Sequence, residues 1–117
     1  MKKIYHLSTC NTCQKIISSL EPGKDVQLQD IKTDKITAEQ LDAMAVLAGS
    51  YEALFSRKAI KYRTMGLGEK KLTEKDYRKL ILEEYTFLKR PVTVCRKEIF
   101  IGNAGKVVEA AKVALAK

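Results

Sequence analysis

Residues 2–20, KKIYHLSTCNTCQKIISSL, decide how the chain is read. The alternating run Lys3-Ile4-Tyr5-His6-Leu7 predicts a strand, and Ser8-Thr9 breaks it. Cys10-Asn11-Thr12-Cys13 then opens a helix whose Ile16, Ile17 and Leu20 recur at helical spacing. A Cys-x-x-Cys motif therefore falls at a strand-to-helix junction. The first cysteine of such a motif meets free backbone N–H groups and the positive end of the helix dipole, which favour its thiolate. The second lies about one turn inside, within reach of a mixed disulfide on the first. Redox chemistry at Cys10 and Cys13 is the leading reading, and a pair of inert small thiols is the bland one. Zinc is not expected: a cage needs a second ligand pair, the chain adds only Cys95 and the lone His6, and His6 lies in the same segment as Cys10 and Cys13.

A chain of 117 residues fits one domain with one modest core. It has no apolar run of membrane-spanning length, and its start runs straight into strand sequence rather than an export signal. Three cysteines do not make a secreted disulfide framework, so a cytoplasmic protein with reduced thiols is expected. The net charge of +8 is concentrated: residues 57–97 hold thirteen Lys/Arg against five Asp/Glu, which is the whole excess. A basic region facing a reactive thiol would gather anionic substrates and lower the thiol pKa. Nucleic-acid binding competes as an explanation, but no helix-turn-helix or aromatic platform supports it. A solvated basic face is the plain alternative.

After the first helix, Glu21-Pro22-Gly23-Lys24 predicts a turn. A second strand runs from Val26 to about Ile31, with Val26 and Leu28 sharing a face. Strand, helix and strand in so short a stretch form a βαβ unit with parallel strands. Thr37-Ala38-Glu39-Gln40 is a capping box, followed by the stripe Leu41, Met44, Ala45 and Ala48 and a stop at Gly49. Tyr51–Phe55 continues as a short helix or turn, residues 56–63 are basic with apolar residues interleaved, and Gly66 and Gly68 mark a loop. Thr73-Glu74-Lys75-Asp76 caps another helix carrying Tyr77, Leu80 and Ile81. Val92–Cys95 and Glu98–Ile101 form a hairpin about Arg96-Lys97. A last helix follows, with Asn103 as N-cap and Val107, Val108, Ala111 and Leu115 facing the core. The order β-α-β, helical insertion at about 33–87, β-β-α predicts a single α/β domain over residues 1–117 with a thioredoxin-like fold.

Several runs together resemble the arsenate reductase (ArsC)/Spx family of thioredoxin-fold proteins. Ile4-Tyr5-His6-x-x-x-Cys10-x-Thr12 is similar to the arsenate reductase opening, with a histidine four residues before the nucleophilic cysteine. Phe87-Leu88-Lys89-Arg90-Pro91 is similar to the family's internal apolar-apolar-Lys-Arg-Pro motif. Leu54-Phe55-Ser56-Arg57-Lys58 sits where the family carries an oxyanion-binding arginine, with either Arg57 or Lys58 in register. The third family arginine is missing, since Ile101-Gly102-Asn103 stands in that neighbourhood.

The resemblance implies a thiol-dependent oxidoreductase of the ArsC type, reducing arsenate or a related oxidised substrate. Cys10 is then the nucleophile, attacking arsenic or a disulfide sulfur. Cys13 is the resolving thiol, which predicts a Cys10–Cys13 disulfide on mild oxidation. His6 helps hold Cys10 deprotonated, or is a strand histidine satisfied by a backbone partner. Arg90 is the preferred oxyanion or thiolate partner, with Arg57 or Lys58 behind it. Pro91 resembles the cis-proline beside the active thiol of thioredoxin-fold proteins. Cys95 is a core residue, or an alternative resolving thiol if its strand faces the site. No bound cofactor is implied; the electrons come from an external thiol donor, glutathione with glutaredoxin, or thioredoxin. Because arsenate reductases of this type lack the second cysteine, Cys-x-x-Cys also resembles Spx, a redox-sensing regulator that binds the RNA polymerase alpha subunit. Neither membrane nor direct nucleic-acid contact is expected.

Overall fold

The computed structural model describes residues 2–117, which divide into two compact units: residues 2–35 with Arg90–Lys117, and Ile36–Lys89. The first is built on a four-stranded sheet. Strand β1 (Lys2–His6) pairs in parallel with β2 (Val26–Asp30) and antiparallel with β3 (Val92–Cys95), which pairs antiparallel with β4 (Glu98–Ile101). The order is β2-β1-β3-β4. Helix α1 (Asn11–Leu20) links the parallel pair, and α5 (Gly105–Leu115) follows the hairpin. Ile16 and Leu20 of α1, Ala111, Ala114 and Leu115 of α5, and Ile4, Val26 and Cys95 of the sheet form one buried cluster. Full burial of a side chain such as Ile4 is worth about 1.5–3 kcal/mol. This is the α/β order expected from the sequence, with a four-stranded mixed sheet. Among the described residues no helix is long and apolar enough to cross a membrane.

The Ile36–Lys89 unit holds α2 (Ala38–Ala48), α3 (Ile60–Thr64) and α4 (Glu74–Glu83), with short 3-10 turns at Glu52–Leu54, Leu67–Glu69 and Tyr85–Phe87. The expected capping box of Thr37 with Gln40 is present, and the cap expected at Thr73 is also a capping box, with Asp76. Phe55 is fully buried, stacked on Phe87 with ring centroids 5.1 Å apart and tilted against Tyr77 at 4.8 Å. A bridge from Phe55 to Leu88 ties the middle of the unit to its last residues.

Three local expectations are corrected. Leu28 is half exposed whereas Val26 is buried, and on the opposite face Gln29 is buried, its Nε2 donating to the Asp34 carbonyl at 3.0 Å. The strand lies at the edge of the sheet, so alternation gave side-chain direction but not burial. Asn103 does not cap α5: Gly102 takes φ 90 and the N-cap passes to Ala104, without a side-chain bond. The stretch expected as a loop at Gly66 and Gly68 is a left-handed residue, Gly66 at φ 65, followed by a 3-10 turn containing Gly68.

Candidate active site

Cys10 is the N-cap of α1, in extended conformation at φ −94 and ψ 111. Its N–H donates to the Leu7 carbonyl at 3.0 Å, and its own carbonyl accepts from Gln14 N–H at 3.1 Å. The loop before it is pinned from β2: Asp30 Oδ1 accepts from Ser8 N–H at 3.2 Å and from Lys32 N–H at 3.1 Å. The Ser8 hydroxyl and these N–H groups hold the Asp30 carboxyl below its usual range, against the opposing effect of burial. Cys10 has no side-chain oxygen to bond the first N–H groups of its helix, so they remain for the sulfur.

The electrostatics separate the two thiols. Partial burial opposes ionisation of Cys10, but the Cys13 N–H and thiol, the positive charge of Arg90 and the Thr12 N–H together outweigh it. Its pKa therefore lies below the ordinary value. Cys13 is fully buried, and burial together with the neighbouring Cys10 pushes its pKa up to about 11, despite the Leu7 N–H and Arg90. The pair is a thiol shifted toward its anion at the helix start beside one, one turn inside, shifted toward its protonated form. Both are free thiols in this structure.

The remaining predicted residues fall in different places. Arg90 precedes β3, and the Arg90–Pro91 peptide bond is cis. The Pro91 carbonyl accepts from Gly102 N–H at 3.0 Å, within the hairpin. His6 ends β1, and its Nδ1 lies 3.5 Å from Gln14 Nε2, which also donates to the Leu7 carbonyl at 3.2 Å. Nδ1 accepts in that contact when the ring carries its proton on Nε2. Cys95 is buried in the sheet–helix core, its thiol donating to the Ala114 carbonyl at 3.5 Å. Arg57 belongs to the other unit, where its Nη2 pairs with Glu52 Oε2 at 2.8 Å and reaches the Tyr77 hydroxyl at 3.1 Å. Lys58 is exposed in the same unit. Sequence reasoning missed Gln14 and Asp30, which fix His6 and the loop before Cys10. Their only signal was a polar residue in the first helical turn and an acidic strand end.

A mixed sheet with a cysteine of lowered pKa at the first helix start and a cis-proline just before the third strand fits an ArsC-like protein of the thioredoxin fold. The chain belongs to the ArsC family, whose model matches residues 5–111. Its fold is similar to that of an arsenate reductase from Vibrio cholerae (21% identity, TM-score 0.78, 97% of this chain and 96% of that one). It is similar also to an ArsC-related protein from Brucella melitensis (26% identity, TM-score 0.70, 93% and 92%) and to a protein from Staphylococcus aureus COL (25%, TM-score 0.76, 94% and 97%). No curated protein matches the chain.

Proposed function

We propose that the protein is a thiol-dependent oxidoreductase that reduces arsenate or a related oxidised substrate through Cys10. One observation carries this reading: the Cys10 sulfur is held toward its anion by the helix start and Arg90, while Cys13 beside it keeps its proton. With arsenate, the Cys10 thiolate attacks arsenic and an arsenic-bound oxygen leaves as water after protonation. Arg90 offsets the negative charge gathered around the adduct. A second thiol then attacks the Cys10 sulfur, forming an S–S bond. The electron pair of the S–As bond stays on arsenic, which leaves as arsenite. If Cys13 is that thiol, its proton passes to the departing group, and an external dithiol or two glutathiones reduce the Cys10–Cys13 disulfide. Each turnover consumes two thiols and releases one disulfide, one arsenite and one water.

A coupled assay tests the proposal, with arsenate as substrate and glutathione with glutaredoxin, or thioredoxin, as donor. Cys10→Ser should lower turnover about a thousandfold or more. Cys13→Ser should abolish turnover with thioredoxin if Cys13 resolves, and spare it if glutathione does. Wild-type protein without arsenate-dependent thiol oxidation under either donor would exclude the arsenate reading. The adjacent dithiol also supports an Spx-like switch with the RNA polymerase alpha subunit as partner; capture of that subunit that changes with Cys10–Cys13 oxidation would favour it.

A further inference from the structure

The Ile36–Lys89 unit carries a feature that thiol chemistry does not use, since all three cysteines lie outside it. An open groove of about 300 Å³ runs between α4 and the segment from Met65 to Leu72. Leu67 and Leu80, both buried, form its apolar floor together with Leu72 and Met65, and Met65 is 45% exposed. The α4 wall presents Asp76, Lys79, Leu80 and Glu83, one helical face at i, i+3, i+4 and i+7. The rim carries three lysines, Lys70, Lys71 and Lys79, against the two carboxylates Asp76 and Glu83. Asp76 is taken up by the capping box, its Oδ2 accepting from Thr73 N–H at 2.8 Å, and Glu83 faces Lys79 at 3.9 Å. Lys70 and Lys71 on the other wall have no side-chain hydrogen bond or ion pair among the described residues.

We propose that this groove docks an acidic amphipathic helix of a partner protein. This goes beyond the redox reading and does not depend on it. A small inorganic anion would find lysines on flexible stems but no use for the aliphatic floor. A helix with aliphatic side chains at i, i+3 and i+4, flanked by carboxylates, matches both floor and rim. The lysine charges steer its approach, and burial of the aliphatic side chains holds it. The groove is small beside a stable protein interface, so affinity on the order of micromolar is expected from it alone.

The probe is a fluorescein-labelled peptide of about 15 residues, with leucines at helical spacing flanked by glutamates. Anisotropy should show saturable binding that weakens with salt, and amide shifts should concentrate in residues 65–83. The double variant Lys70→Glu with Lys71→Glu, at exposed positions, should raise Kd about tenfold and flatten the salt dependence. Its amide spectrum reports whether the fold is kept. Equal binding of a lysine-flanked peptide, shifts centred elsewhere, or a double variant that folds and keeps its affinity would overturn the proposal. So would displacement of the peptide by dodecanoate at lower concentration, or concentration-dependent shifts at the groove without peptide, which would assign it to a fatty carboxylate or a second copy.

Discussion

The two units treat their helix starts in opposite ways. In Ile36–Lys89 the two longer helices begin with threonine caps whose hydroxyls accept from the N3 amides, and each N3 side chain bonds back. In the sheet-bearing unit α1 begins at a cysteine and α5 at an alanine, neither with a side-chain cap. Four of the five ion pairs among the described residues also lie within Ile36–Lys89. Helix termini there serve stability; at α1 the terminus is left to a sulfur. The same orphan N–H groups that a threonine would satisfy lower the pKa of a thiol instead. The contrast teaches that Cys10 is locally under-capped, and that its lowered pKa and its missing cap share a cause.

The contrast can be broken first at the aromatic cluster. Phe55→Ala should cost about 3–5 kcal/mol, read from the denaturant midpoint. Lost amide protection should concentrate in Ile36–Lys89, with the β1–β2 amides least affected. The helix starts sharpen it next. Thr37→Ala should destabilise by about 1 kcal/mol. Cys10→Ser should do the reverse, adding about 0.5–1 kcal/mol by supplying a cap oxygen while removing the Cys10 thiol. A Cys10→Ser protein less stable than wild type would contradict the under-capped account. The smallest effect concerns acid. Arg78 and the Tyr51 hydroxyl hold the Asp42 carboxyl down to about 2. Its folded-state pKa is depressed, so its contribution is present above the ordinary aspartate value and is lost as pH falls toward about 2. Asp42→Asn should make the acid limb of the stability curve shallower, with little change in its slope at neutral pH.

What was legible in the sequence follows from what is local. The strand-to-helix junction at Cys10, both threonine caps and the Arg96-Lys97 hairpin all rest on neighbours a few residues apart. Features set by tertiary position were not legible. Leu28 and Gln29 exchange their expected burial because β2 is an edge strand, and edge position is a property of the sheet. Asn103 loses the cap because the left-handed Gly102 leaves Ala104 as the residue that precedes the helix. The pairing of Arg57 with Glu52 and Tyr77 depends on a 3-10 turn and on α4, so the residue type was visible but its partners were not. Arg90 was singled out by a resemblance of motif; its electrostatic effect on Cys10 comes from the fold.

Titration of the thiols tests the central claim most directly. Thiolate absorbance and alkylation rate, followed against pH, should show a wave from Cys10 lowered from the ordinary thiol value and a later one near 11 from Cys13. The lower wave should vanish in Cys10→Ser and move upward in Arg90→Leu. A lower wave that survives Cys10→Ser, or its absence from the wild-type protein, would contradict the account.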